Sequence, residues 1–403
     1  MMPSPRLHLS GRKDNMPRKY LPGFDDPSVL REIEPSRLFR LIAPHRQFFA
    51  DHGYELPTDP VDLDCERLAV LLLQPQPDTP PELVDALTHI HEVATTRDVE
   101  FLRAQAQQVG VDIPLHLNMS PTDVAVHIWL ERPEALRRYH AERVVLRRRS
   151  FEMLMASEDA TFERPADLSA GIKSLDAAVN EFYNSIMDRG RGAYIIPIET
   201  QRELRLVIPH GAPYCRRGCW RESKPSSVGF RPMEFAYAVL DWENWELRLN
   251  CKTKREREFF KSQIGLHILG QSGFFTQQQK YTLDPLRRGR EALVCSGVPG
   301  VRHVRLAALT MKFGGAFGRM REESADDLLL ALECDGDSIP LRAELVKAKF
   351  EFVFTDSEKP RPVTLMRGNR ATYTRDSDSA LVERFFELQN FSRSVARASL
   401  AVA

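Results

Sequence analysis

The stretch that decides the fold runs from residue 166 to residue 209, ADLSAGIKSLDAAVNEFYNSIMDRGRGAYIIPIETQRELRLVIP. In its first half Leu168, Ile172, Leu175, Val179, Phe182 and Ile186 step by four and three residues, which lines one face of an α-helix. Gly190 is a natural stop, because glycine enters the left-handed conformation that ends helices without a Cβ clash. Past Gly192 the period becomes two: residues 193–198 and 204–209 read as short strands around Glu199-Thr200-Gln201-Arg202. The chain therefore passes here from helical to β architecture. An α+β fold is expected, with an N-terminal all-helical domain followed by a mixed, mostly antiparallel β-sheet domain with packed helices.

Working outward, the expected division is a disordered basic tail over 1–26, a helical domain over 27–165 and a long amphipathic connecting helix over 166–191. An α+β domain over 192–391 and a disordered tail over 392–403 complete it. Upstream, Leu38, Leu41 and Ile42 recur at helical spacing, and 64–73 and 81–94 read as helices parted by Gln74-Pro75-Gln76-Pro77. Ser120-Pro121-Thr122-Asp123 is a helix start, with a capping serine, a proline at the first helical position and an early acid. A helix from Pro133 to Met155 is expected next. Downstream, Phe235, Tyr237 and Val239 alternate into a turn at 241–244, Trp245, Leu247 and Leu249 alternate back, and a helix covers 254–268. Strands over 346–354 and 361–366 and a helix over 377–388 repeat that order. The stripe of 168–186 packs on the next domain or, as the alternative, forms the seam of a homodimer.

Composition narrows the classes. The 403 residues are 42% hydrophobic and 28% charged with a net charge of zero, which excludes wholesale disorder and histone-like or acidic-tail proteins. The longest apolar run, 68–73, is far short of the ~18–20 residues that span a bilayer, so no membrane partner is expected. Six cysteines in a chain this long make no disulfide framework, and a reducing, cytoplasmic setting fits. The first 19 residues carry Arg6, Arg12, Lys13, Arg18 and Lys19 against Asp14 without the apolar core of a signal peptide; Met16 is as good a start as Met1. The charge balance hides a skew of 44 arginines to 12 lysines. A GC-rich bacterial genome produces the same skew without selection, so position must decide its meaning.

Three segments concentrate arginine: 137–149, 216–231 and 287–305. On the expected helix over 133–155, Arg137, Arg138, Arg148 and Arg149 share a sector about 120° wide that could follow phosphates. The loop-like segment His210–Arg221 adds Arg216, Arg217 and Arg221 to phosphate recognition, with Trp220 or Tyr214 to stack on a base. The competing chemistry for that segment is zinc, held by Cys215 and Cys219 with His210; a fourth ligand, Cys251 or Cys295, would have to come through the fold. No other cofactor is expected: no phosphate-loop lysine, nucleophile elbow or dinucleotide fingerprint is present. The leading expectation is a non-catalytic nucleic-acid-associated or regulatory protein, its partner nucleic acid or a nucleic-acid-handling protein. The alternatives are a protein–protein adaptor subunit whose arginines pair internally, and a metal-dependent hydrolase using His210, Cys215 and Cys219.

Overall fold

The structure is a computed structural model that describes residues 23–73, 78–95, 99–108, 110–113, 119–221, 224–276, 278–315 and 317–392. The basic tail up to residue 22 with both candidate starts, the break at 74–77 and the tail from residue 393 lie outside them. The chain forms two compact units, Met1–His140 and Ala141–Ala403. The expected boundary at 165/166 therefore falls inside the second unit.

The first unit is helical: α1 (Pro27–Arg31), α2 (Pro35–Ile42), α3 (Arg46–Asp51), α4 (Cys65–Leu73), α5 (Pro81–Val93), α6 (Val99–Gln108), α7 (Pro121–Glu131) and the greater part of α8 (Pro133–Leu146). Proline opens α1, α2, α5, α7 and α8, where its missing N–H is no loss. The start of α7 is the one the sequence announces: the Asp123 N–H donates to the Ser120 hydroxyl at 3.1 Å. Asp123 is buried and accepts Arg37 Nε at 2.7 Å and Nη2 at 2.6 Å, a two-pronged pair that ties α2 to α7. Packing begins ahead of the expected residue 27, because Phe24 is already in the core.

In the second unit the expected helix to Met155 is corrected. The helix α8 ends at Leu146, and β1 (Ser150–Ala156) follows. Residues 153–156 are all buried, and an apolar run covered on both faces has no period that separates strand from buried helix. The other strands are β2 (Ile196–Glu199), β3 (Glu203–Gly211), β4 (Cys215–Arg221), β5 (Lys224–Phe230), β6 (Met233–Asp241) and β7 (Glu246–Asn250). They continue with β8 (Phe275–Thr276), β9 (Val301–Phe313), β10 (Met320–Ser324), β11 (Ala343–Phe354), β12 (Arg361–Met366) and β13 (Arg370–Thr372). An eleven-stranded sheet runs in the order β10-β9-β11-β12-β13-β1-β7-β6-β3-β2, with β8 added beside β1; β4 and β5 form a separate two-stranded sheet. Its strand pairs are antiparallel, as expected.

The helices of this unit are α9 (Ser169–Glu181), α10 (Lys254–Leu269), α11 (Leu328–Asp335) and α12 (Arg375–Leu388). The stripe that opens the sequence reading becomes α9 and a π-turn over 182–186, shorter than the expected 166–191. Leu175, Val179 and Phe182 are buried with Phe260, Leu247 and Leu249 from α10 and the sheet, and the Phe182 ring stacks on Phe259 at 3.9 Å. Those residues of the stripe are thus core within their own unit. A Cβ on Gly171 would run into the His267 carbonyl oxygen, so α9 and α10 cross at a residue that has none. Thr253 and Glu256 close a capping box at the start of α10, and Gly270, at φ 72°, ends it.

Side chains alternate across the sheet. Leu204, Leu206, Leu240, Leu247 and Leu249 point to α9 and α10; the opposite face packs Phe350, Phe352, Val363 and Leu365 with Val382, Phe385 and Phe386 of α12. That second face also carries a row of charge beside the apolar core.

Candidate nucleic-acid interface

The segment expected to be a loop is a strand. Strands β3 and β6 pair from Glu203↔Asp241 to Gly211↔Met233. The Ala212 N–H then donates to the Pro232 carbonyl at 2.7 Å, and the ribbon resumes as β4 and β5, from Cys215↔Phe230 to Arg221↔Lys224. Among the described residues these two strands pair with no other. Seven residues, six steps of ~3.3 Å, make an arm about 20 Å long. Its root is fixed: Arg231 Nη1 donates to the Asp188 carbonyl at 2.7 Å, and Gly211 lies so close to the Arg189 carbonyl that a Cβ would not fit.

Alternation sorts the arm's side chains into two faces. One carries Arg216, Gly218 and Trp220 opposite Gly229, Ser227 and Pro225. Tyr214 lies over Gly229, whose Cβ would meet its hydroxyl, and Arg216 Nε donates to the Ser227 hydroxyl at 2.7 Å. Trp220 is 75% exposed and Tyr214 63%. The other face carries Cys215, Arg217 and Cys219 opposite Phe230, Val228 and Ser226, and Lys224 continues it; Arg221 pairs with Lys224 through the backbone, and its side chain lies outside the described residues. Arg216 and Arg217, neighbours in sequence, therefore serve opposite faces. The sequence reading missed Lys224, Phe230 and Met233, exposed on or beside the same ribbon. Two glycines, a proline and no apolar alternation hid the strands, because both faces meet water and neither needs a hydrophobic stripe.

The zinc expectation is corrected by the same geometry. Cys215 and Cys219 share a face, yet four positions on an extended strand put them ~13 Å apart, whereas two thiolates on one zinc each bond at ~2.3 Å. His210 is buried at the end of β3, its ring stacked on Tyr183 at 4.0 Å and its Nδ1 3.0 Å from the Gly211 carbonyl. Burial holds its pKa below the usual imidazole value, the Gly211 carbonyl pulling the other way. Among the described residues no three His, Cys, Asp or Glu side chains are placed to hold a metal.

The first arginine cluster does not form the expected sector either, since the helix stops before Arg148 and Arg149. Arg137 is engaged by Asp85 at 3.1 Å and Glu134 at 2.7 Å and lies over the Trp129 ring. Arg148 lies over the Tyr237 ring and donates to its hydroxyl at 3.1 Å; Arg138 and Arg149 are exposed. In the third cluster Arg287 donates to the Pro340 and Ala343 carbonyls, Arg288 to that of Gln389, and Arg305 pairs with Glu351.

A second concentration of charge sits inside the second unit. A cleft of about 260 Å³ is lined by Arg202, Glu203, Arg205, Arg248, Arg375 and Glu383 among others. Its members alternate in sign: Arg205 joins Glu142 and Glu203, and Arg248 joins Glu203 and Asp241. Arg202 then reaches Asp241 and Glu243. Burial pushes the Glu203 and Glu383 carboxyls up, yet the neighbouring guanidinium groups, Arg248 above all, hold both below their usual values. Arg202, Arg205 and Arg248 are each held by two acids in this chain of pairs, so a ligand would have to displace a carboxylate to engage them. No helix among the described residues is long and apolar enough to cross a membrane. Neither a family model nor a curated protein matches this sequence.

Proposed function

We propose that the arm formed by β4 and β5 binds single-stranded DNA or RNA, and that the protein is a non-catalytic nucleic-acid-associated factor of the cytoplasm. The observation that carries this reading is a two-stranded ribbon, unpaired at both edges among the described residues, that presents an exposed tryptophan on the same face as Arg216, with Arg217 and Lys224 on its reverse. Cations that neutralise phosphates give sequence-independent affinity, and an exposed indole stacks on any base. A two-stranded ribbon is also narrow enough to enter a duplex major groove, so duplex competitors belong in the test.

The test is a titration of the full chain with labelled single strands at several salt concentrations. Replacing Arg216, Arg217 and Arg221 with alanine should lower the magnitude of the log–log salt slope by about 2, at ~0.7 for each phosphate contact. Trp220→Ala should weaken binding by about 1–3 kcal/mol and leave the slope in place, because stacking releases no counterions. Absence of binding at low salt by the intact protein would end the proposal. The adaptor reading would then lead, favoured by the exposed Phe230 and Met233 at the arm and by the internal pairing of the other arginine clusters.

A further inference from the structure

We propose that β10 is a dimerisation edge, which pairs antiparallel with β10 of a second copy of this chain about a two-fold axis through Glu322. The two ends of the large sheet differ in how their open edges are treated. At one end is β2, where the Tyr194 N–H donates to the Pro209 carbonyl and the Thr200 N–H to that of Glu203. Alternation along the ladder then turns the backbone of Pro197 outward, and a residue without an N–H blunts that edge. At the other end β10 has no such guard. The Phe313 N–H donates to the Arg319 carbonyl at 2.8 Å and the Ala325 N–H to that of Ala307 at 3.1 Å. Arg321 and Glu323 therefore turn their backbone groups to β9, while Met320, Glu322 and Ser324 offer theirs to the open side. The strand contains no proline, and its pairing with β9 runs without a register shift. Among the described residues no strand occupies that side.

The side chains are self-complementary in that one register. An axis through Glu322 sets Arg321 of each copy opposite Glu323 of the other, on one face, and Met320 opposite Ser324 on the other. Arg321 and Glu323 already face each other within one copy at 2.8 Å, so pairing joins two such pairs into an alternating square. The two Glu322 carboxylates that meet at the axis arrive neutralised, each held by Lys347 at 3.1 Å, Lys349 at 3.5 Å and the Thr310 hydroxyl at 2.9 Å. Met320, 58% exposed, and Phe317, 98% exposed in the adjoining loop, supply apolar surface beside the strand.

The full chain, examined by sedimentation equilibrium across a wide concentration range, should show a reversible dimer. Arg321→Glu puts like charges opposite each other twice and should weaken the dimer about tenfold or more, whereas Arg321→Glu with Glu323→Arg should restore it. Glu322→Pro should leave a monomer, as the outward Pro197 leaves β2 unpaired; circular dichroism of each variant checks that it is folded. A monomer at every concentration would overturn the proposal. So would a dimer indifferent to Arg321→Glu and Glu322→Pro, or a charge swap that fails to rescue. Nucleic acid plays no part in this measurement, so its outcome is independent of the arm.

Discussion

Replacing Arg248 with methionine tests how the second unit tolerates charge on the inner face of its sheet. The Arg248 side chain is 9% exposed; its Nη1 donates to Glu203 at 2.9 Å and its Nη2 to Asp241 at 2.6 Å. Methionine keeps most of the stem's volume, so packing changes little while the charge disappears. Glu203 retains Arg205 at 2.9 Å, but the fully buried Asp241 is left with Arg202 at 3.8 Å, the backbone N–H groups of Glu243 and Asn244, and the Asn244 side-chain amide at 3.3 Å. Breaking a buried pair by removing one partner costs about 3–5 kcal/mol. At roughly 2–4 °C per kcal/mol for a domain of a couple of hundred residues, calorimetry should show the melting of this unit fall by on the order of 10 °C. Acid then discriminates. In the native protein burial pushes Glu203 up, but Arg248 and Arg205 hold it below its ordinary value. It therefore stabilises the fold above the ordinary carboxylate range, and that share is lost as pH falls through the lowered value. Without Arg248 only Arg205 opposes the burial, so Glu203 in the folded variant takes up a proton more readily than in the native protein. The gap between the two proteins should then narrow from neutral pH towards pH ~4.5. A loss under ~1 kcal/mol at neutral pH, or a gap that widens in acid, would refute the reasoning.

Phe182→Ala should destabilise the second unit by about 3–5 kcal/mol in urea unfolding, since it empties a buried site stacked on Phe259; an unchanged midpoint would mean that α9 is not core. Gly171→Ala should also destabilise it, because the added methyl meets the His267 carbonyl, although alanine is the better helix former; a stabilised variant would contradict that close crossing. His210 is held below its usual value first by burial, so the unfolded chain binds a proton that the folded one refuses. Stability should fall as pH drops below ~6.5, and His210→Phe should remove that part of the slope; a slope unchanged in the variant would place the titration elsewhere.

The helix-to-sheet change at residues 190–193 was legible because Leu168, Ile172, Leu175 and Val179 need one buried face, whereas Leu204, Leu206 and Ile208 alternate with Glu203, Arg205 and Val207 on the opposite face of the sheet. The two strand–strand–helix units, β6-β7-α10 and β11-β12-α12, were legible for the same reason. Strand β1 was not. Phe151, Met153, Leu154, Met155 and Ala156 are buried on both faces, and only the partners β7 and β13, a hundred and two hundred residues away, make them a strand. The arm fails at the opposite extreme, since Arg216, Gly218 and Trp220 bury no stripe that would print a period. Composition found its cations and its tryptophan, but only the register separates Arg216 from Arg217. The thiols illustrate the same dependence: Cys215 and Cys219 are close on a helix or in a tight loop and ~13 Å apart on a strand.

The fate of the remaining arginines bounds what the arm can do. Outside it, Arg37, Arg137, Arg205, Arg248, Arg305 and Arg361 are paired with acids, and Arg287 and Arg288 with carbonyls. The chain's 56 acids match its 56 basic residues, so there are carboxylates enough for such pairing. The pairing withdraws those groups from phosphate, because each would have to leave a partner before meeting a ligand. Within the arm the proposed interface rests on Arg216, Arg217, Arg221 and Lys224, as Arg231 is committed to Asp188 at the root, while Arg138 and Arg149 are exposed outside it. Four phosphate contacts at ~0.7 each cap the salt slope for single strands near 3. A slope far above that value would show that charge outside the arm takes part, and would move the interface away from β4 and β5. A slope below it by a third or more, together with a strong dependence on Trp220 and on Arg216 but not on Arg217, would instead confine the strand to the Trp220 face.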